Sequence, residues 1–160
     1  MTLILTEEQT MLKEAADGFL NEHAPIAHLR KLRDSKDADG VSRDLWRAFG
    51  EMGFAGVIIP EEHGGSGLGA VEAGVMAEAL GRTLTPSPFL GSSVLSAKLF
   101  LDGGSAEQQA AWLPRIAAGE AILTGSGFRR SCYSRPRWRR LPPTFSALRL
   151  PGRTWRRWPP

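Results

Sequence analysis

The charged residues of this chain divide at about Thr124 into an acidic part and a basic part, which cannot share one fold pattern. All 17 acidic residues precede that position, together with ten of the 20 Lys and Arg residues, so the first part has a net charge of −7. The last 36 residues contain the other ten basic residues, all Arg, without one Asp, Glu or Lys, and have a net charge of +10. The sequence therefore predicts an acidic globular domain over residues 1–124 and a basic tail over residues 125–160.

The acidic part carries the start signals, apolar spacing and stop signals of helices. Thr6 and Gln9 form a capping box, and Ser105 and Gln108 repeat it before the last predicted helix. Apolar residues then recur at helical spacing. The first predicted helix starts at the Thr6 capping box, carries an apolar stripe over 11–20 and ends before Pro25. Further helices are predicted over 42–53, 70–80 and 89–101, and a last short helix follows Ser105, is begun or kinked by Pro114 and ends near Gly119. An extended run over 54–59 and a glycine-rich loop over 64–69 lie between them. We therefore predict an all-α bundle of five or six helices.

Few residues of the acidic part point to chemistry of their own. Residues 65–70 match G-x-G-x-x-A, but no strand leads directly into the first glycine, and no acidic residue follows about 20 positions later to hold a ribose. His23 and His28 are poorly spaced for two ligands on one helical face, and Cys132 is the only cysteine. We predict no catalytic residue, no cofactor-binding residue and no metal site.

The acidic part shows no features of a targeting or membrane segment. The short apolar run near the N-terminus is not preceded by basic residues or followed by a cleavage site of small residues. The longest later apolar stretch, over residues 54–59, is far shorter than the roughly 20 residues that cross a bilayer. We therefore predict a cytoplasmic protein that does not bind a membrane.

Several short motifs of the acidic part carry a resemblance to a known family. Their order and spacing over residues 3–124 resemble the helical N-terminal domain of the acyl-CoA dehydrogenases. The motifs are Thr6-Glu-Glu-Gln-Thr-Met-Leu-Lys-Glu, Leu45-Trp46, Met52-Gly53-Phe54, Pro60-Glu-Glu-His-Gly-Gly-Ser-Gly-Leu-Gly69, Glu78-Ala-Leu-Gly-Arg82, Gln108-Gln109, Trp112-Leu-Pro114 and Gly119-Glu120.

The resemblance implies a flavoprotein oxidoreductase that acts on acyl-CoA thioesters of fatty-acid or sterol side-chain catabolism. In that family a carboxylate of a C-terminal helical bundle takes the α proton, and the β hydride passes to FAD bound by a middle β domain. The N-terminal domain mainly lines the acyl pocket and supports the oligomer. By this resemblance the loop over residues 60–69 and the segment near residues 86–95 would form the substrate-pocket wall. Its residues would include Gly64, Gly65, Gly67, Phe89 and Leu90. The glycines would either let the backbone approach a ligand closely or simply allow the chain to turn.

The sequence departs from the family pattern after Thr124. The family continues there with a strand and a flavin-binding turn, whereas this chain continues with ten Arg, six Pro and three Trp in 36 residues. We therefore expect a fragment that lacks the β domain and the catalytic bundle, binds no FAD on its own and has little or no activity. The alternative is a non-catalytic helical partner that lines another subunit's acyl pocket in a homo- or hetero-oligomer.

The basic tail has two interpretations. Its Arg, Pro, Ser, Gly and Trp composition resembles out-of-frame translation of a GC-rich gene, which is the interpretation we favour. Alternatively, its Arg residues with Trp138, Trp155 and Trp158 would bind nucleic acid or an anionic membrane surface. We expect no sequence-specific nucleic-acid binding. Frequent prolines and the absence of apolar periodicity predict disorder under both interpretations.

Overall fold

A computed structural model of the chain describes residues 5–36 and 38–123. Over these residues the protein is all-α, as predicted, with six α-helices and no β-strand. The predicted tail, its boundary at residue 124 and the shifted frame concern residues outside the described ranges. In chain order the elements are α1 (Glu7–His23), α2 (Ile26–Asp34), α3 (Arg43–Glu51), a first 3₁₀ turn (Phe54–Gly56), a second 3₁₀ turn (Glu61–His63), α4 (Ala70–Arg82), a π-helical segment (Phe89–Ser96), α5 (Ala97–Gly103) and α6 (Ala106–Ala117).

Three helices start where the capping signals predict. The Gln9 amide donates to the Thr6 hydroxyl at 3.2 Å, and the Thr6 amide donates to the Gln9 side-chain oxygen at 3.0 Å. Ser105 and Gln108 form the same reciprocal pair at the start of α6. Ser42 caps α3 through its hydroxyl alone. Each cap satisfies first-turn N–H groups that have no partner within the helix.

The prediction of an extended run over residues 54–59 is wrong. Gly53 ends the preceding helical turn with a φ of 79°, and Phe54–Gly56 is a 3₁₀ turn. The Gly56 amide then donates to the Gly53 carbonyl at 3.2 Å, and the Ile59 amide donates to the Gly56 carbonyl at 3.0 Å. A short apolar run fits a strand or a buried turn equally well by pattern, and here the turn bonds its own backbone.

The short helix α2 was not predicted from the sequence. It follows Pro25, which offers no side-chain cap, and no residue of Ile26–Asp34 is buried. A helix without a capping residue and without a buried apolar face lacks the two sequence signals by which helices are predicted.

Two clusters of buried apolar residues form the core. In the first cluster the ring of Phe49 lies 5.2 Å from Phe54, 5.3 Å from Trp46, 6.0 Å from Phe89 and 6.1 Å from Phe19, measured between centroids. This aromatic group connects α1 and α3 to the π-helical segment. The second cluster joins α5 and α6 to the chain around them through Ile59, Ala97, Leu113, Ile116, Ala117, Ala121 and Leu123.

Candidate functional site

The π-helical segment Phe89–Ser96 has its three serines inside and its two leucines outside, although Phe89 is buried in the core. Ser92, Ser93 and Ser96 are buried, whereas Leu90 is 64% exposed and Leu95 is 50% exposed. A helix that faces water normally shows the opposite arrangement. This inverted pattern indicates that the outer face of the segment is suited to an apolar partner.

One serine hydroxyl bonds the backbone of this segment across five residues. The Ser96 hydroxyl donates to the Gly91 carbonyl, five residues earlier, at 2.7 Å. A serine that bonds a carbonyl of its own helix competes with the regular α-helical pattern. Long π-helical segments are rare, and single-turn π-bulges inside helices frequently lie at functional sites.

Ser92 joins this segment to residues 121–123. Its hydroxyl donates to the Ala121 carbonyl at 3.2 Å and accepts from the Leu123 amide at 3.2 Å. Both residues lie among the buried apolar residues of the second core cluster. The inner face of the segment is therefore held by hydrogen bonds that water does not reach.

Phe89 and Leu90, two of the predicted wall residues, face in opposite directions. Phe89 is 2% exposed and packs edge-on against Phe49. Leu90 is exposed. Phe89 thus fixes the segment to the core, and Leu90 is the one of the pair that can contact a ligand.

Backbone geometry explains the three predicted glycines. Gly64 has a φ of 78° and Gly67 a φ of 63°, conformations that favour glycine. Gly65 packs directly against the backbone of Ile59 and Gly56, where a Cβ would clash. These contacts favour the turn interpretation, and contact of the glycines with an acyl ligand stays a prediction.

The glycine loop and the π-helical segment are linked by the first 3₁₀ turn. Loop amides donate to the chain just after that turn, from Leu68 to the Val57 carbonyl and from Gly67 to the Ile59 carbonyl, both at 2.8 Å. The 3₁₀ turn Phe54–Gly56 also contacts the π-helical segment. The loop therefore supports the segment through this turn.

The N-terminus of α4 is closed by a carboxylate. Glu72 accepts from the Gly69 amide at 2.8 Å and from the Gln9 side-chain amide at 2.7 Å. The hydrogen bond from Gln9, followed by backbone hydrogen bonds, lowers the pKa of Glu72. A phosphate at this helix N-terminus would meet that negative charge, so the G-x-G-x-x-A match does not form a phosphate cradle.

A small pocket lies between α3 and residues 85–88. Ser42, Trp46 and Thr85 are among its lining residues, and its internal volume is about 10 Å³. That volume is roughly the room of one water molecule. The Trp46 indole N–H is buried and has no hydrogen-bond partner among the described residues.

Neither a metal cluster nor a membrane helix occurs in the part of the chain that the structure describes. No group of three or more His, Cys, Asp or Glu side chains there is arranged to hold a metal ion. None of the helices in residues 5–36 and 38–123 is long and apolar enough to span a bilayer.

Sequence reasoning found part of this surface and missed part of it. It predicted a wall in the segment near residues 86–95 and singled out Phe89 and Leu90, but it gave no separate role to Leu95 and none to Ser92. The available signal was the spacing: leucines at 90 and 95 are five residues apart, and the serines fall between them and after them. This spacing fits one face of a π-helix, which turns more slowly than an α-helix.

Comparison with known proteins places the chain in a family. The family described as "Acyl-CoA dehydrogenase, N-terminal domain" matches residues 6–120. The chain is 38% identical to (2S)-methylsuccinyl-CoA dehydrogenase of Cereibacter sphaeroides over 122 residues. This aligned region covers 75% of this chain and 22% of that enzyme. The chain therefore belongs to the acyl-CoA dehydrogenase family, of which it contains the helical N-terminal domain.

Solved structures agree with this assignment. A chain of the ChsE4-ChsE5 complex of Mycobacterium tuberculosis matches with a TM-score of 0.69 at 32% identity, over 78% of this chain and 34% of that chain. An acyl-CoA dehydrogenase of Bacillus anthracis complexed with FAD matches with a TM-score of 0.63 at 28% identity, over 74% of this chain and 20% of that chain. The chain thus spans about a third or less of the length of the proteins described here.

Neither the pocket beside Trp46 nor the N-terminus of α4, both within the described residues, fits FAD. The pocket beside Trp46 has room for about one water molecule, which is far too little for a flavin. The N-terminus of α4 presents the Glu72 carboxylate where the pyrophosphate would need N–H donors.

Proposed function

We propose that residues 1–124 supply one wall of the acyl-binding site of an acyl-CoA dehydrogenase. The observation that carries this proposal is the inverted π-helical segment, which presents Leu90 and Leu95 outward while its serines are buried. The substrate class is an acyl-CoA thioester, and the reaction of the complete enzyme is FAD-dependent α,β-dehydrogenation. In this proposal the described residues contact the acyl chain and do not carry out the chemistry.

An acyl chain is a suitable partner for this face. Covering an exposed leucine side chain completely is worth about 1.5–3 kcal/mol, and each buried CH₂ of a ligand contributes about 0.8 kcal/mol. The remaining predicted wall residues support the segment without contacting the acyl chain. Phe89 fixes the segment to the core, and the glycine loop supports the first 3₁₀ turn. The wall is therefore built before a ligand arrives.

Acyl-CoA binding to the purified full chain tests the proposal. We expect affinity to rise with acyl chain length, and CoA without an acyl group to bind more weakly. The variants Leu90→Ser and Leu95→Ser should remove this dependence on chain length. Met11→Ser is the matched control, because Met11 is 68% exposed and lies on α1. Affinity that does not depend on chain length, or an equal loss in the Met11 variant, would contradict the proposal.

A second candidate function is that of a non-catalytic subunit that lines the acyl pocket of a partner. The similarity to a chain of the ChsE4-ChsE5 complex favours it, since in that structure the similar chain is part of a complex of two differently named proteins. The test is co-expression with full-length acyl-CoA dehydrogenases, followed by gel filtration. A stable complex that depends on Leu90 and Leu95 supports this function, and no complex with any of several candidates counts against it.

Two further predictions complete the proposal. We expect the purified chain to carry no FAD, and a stoichiometric flavin absorbance band that survives gel filtration would contradict that expectation. Cytoplasmic location stays a prediction, which fractionation of cells that express the chain would test.

A further inference from the structure

We propose that Ser92 is a positioning residue whose single hydroxyl holds the π-helical segment and residues 121–123 in one register. The two pieces of chain are far apart in sequence, by 29 residues to Ala121 and 31 residues to Leu123. One hydroxyl serves both of them, because it donates to one and accepts from the other.

The geometry leaves this hydroxyl little freedom. Ser92 is 0% exposed, and its oxygen lies 3.2 Å from both the Ala121 carbonyl oxygen and the Leu123 amide nitrogen. A hydroxyl has one proton to donate, and here that proton goes to Ala121 while a lone pair receives the Leu123 N–H. Moving the segment relative to residues 121–123 would therefore break both bonds together.

Loss of these two hydrogen bonds would destabilise the protein, because the groups around them are buried. Ala121 is 6% exposed and Leu123 is 9% exposed, so their backbone groups have little access to water as a substitute partner. The two backbones are also neighbours, since a Cβ at Gly91 would lie in ordinary van der Waals contact, 3.7 Å, with the Leu123 carbonyl oxygen. A buried N–H or C=O that loses its partner bears the full cost of its desolvation.

The neighbouring serine provides a matched control. Ser93 is also 0% exposed and lies on the same segment, but its hydroxyl has no hydrogen-bond partner among the described residues. Replacing Ser93 by Ala removes the same atom without breaking a bond to residues 121–123. The pair Ser92 and Ser93 thus separates the positioning role from the general effect of deleting a buried hydroxyl.

The consequence for the outer face rests on the proposed function. If Leu90 and Leu95 contact the acyl chain, their placement depends on residues 121–123 being docked on the inner face of the same segment. Coupling of this kind is reciprocal, so fixing the outer face should also slow the opening of residues 121–123. The hydrogen bonds of Ser92 themselves do not depend on the proposed function.

Amide hydrogen exchange of the full chain, resolved by residue, tests the proposal. In Ser92→Ala we expect exchange at the Leu123 amide to accelerate by about 5- to 100-fold, since a buried group loses its partner. Amides of the π-helical segment should accelerate with it. Ser92→Cys, whose thiol is a weak donor and a weak acceptor, should give an intermediate rate. Ser93→Ala should leave the Leu123 amide unchanged.

Three results would overturn the proposal. The first is an unchanged exchange rate of the Leu123 amide in Ser92→Ala, and the second is an equal acceleration of that amide in Ser93→Ala. The third is that the amides of α1 in Ser92→Ala accelerate as much as the Leu123 amide, which would mean global destabilisation. If Ser92→Ala does not fold, the comparison of Ser92→Cys with Ser93→Ala decides in the same way. The proposed function fails separately, through affinity for acyl-CoA that does not depend on acyl chain length.

Discussion

The substitution Gly65→Ala tests how the glycine loop supports the candidate site. A Cβ at residue 65 would clash with the Ile59 carbonyl oxygen and would lie 2.6 Å from the Gly56 carbonyl oxygen. Both oxygens accept hydrogen bonds from the same loop, from Gly67 at 2.8 Å and from Ser66 at 3.0 Å. Neither oxygen can move away without weakening the loop. Overpacking of this kind costs about 1–3 kcal/mol, and one weakened hydrogen bond adds about 1 kcal/mol, so we expect a loss of about 3 kcal/mol.

Thermal unfolding followed by circular dichroism measures this loss. For a domain of this size 1 kcal/mol corresponds to about 4 °C, so Tm should fall by about 12 °C. Gly74→Ala is the control, since Gly74 lies in α4 with nothing within 4 Å of the added Cβ. That variant should be stabilised by about 0.5–1 kcal/mol. A Gly65 variant with the Tm of the unmodified chain would refute the packing argument.

Three further predictions concern the helices. Gly50→Ala should lower the free energy of unfolding by about 1–3 kcal/mol, and therefore lower Tm in the same assay, because its Cβ would overlap the backbone of residues 118–119. Phe49→Ala should cost about 3–5 kcal/mol in denaturant unfolding, since its ring contacts the other core aromatics. The pKa of Glu72 is lowered from 4.5, mainly by Gln9, so its stabilising contribution is present above pH 4.5 and is lost as the pH falls through the lowered pKa. Glu72→Gln should therefore show a smaller decrease in Tm on acidification below pH 4.5, and an identical decrease would contradict this.

The helix starts could be predicted because their signals are local. Thr6 and Gln9 lie three residues apart, and a capping box needs nothing beyond those few residues. The run over residues 54–59 could not be assigned by pattern, because a short apolar stretch fits a strand or a buried turn. Its structure is set by the left-handed Gly53 and by packing against α3 and α6.

The candidate site was predictable only in part, for a related reason. A helix over residues 89–101 follows from the sequence, and the family resemblance points to Phe89 and Leu90. Which face of that helix is buried depends on distant partners, since Ser92 bonds to residues 121–123. Buried serines and exposed leucines contradict the usual pattern of a helix, so a local interpretation places Phe89 correctly but these serines and leucines on the wrong faces.

Photoaffinity labelling tests directly whether the segment Phe89–Ser96 contacts the acyl chain. The full chain is irradiated with an acyl-CoA that carries a diazirine on its acyl chain, and the labelled residues are located by mass spectrometry. We predict that the label lies within Phe89–Ser96, mainly at Leu90 and Leu95, and that unlabelled acyl-CoA competes whereas free CoA does so only weakly. Label that is spread over other exposed apolar residues such as Met11, or that is insensitive to competition, would contradict the assignment of this segment as an acyl-binding wall.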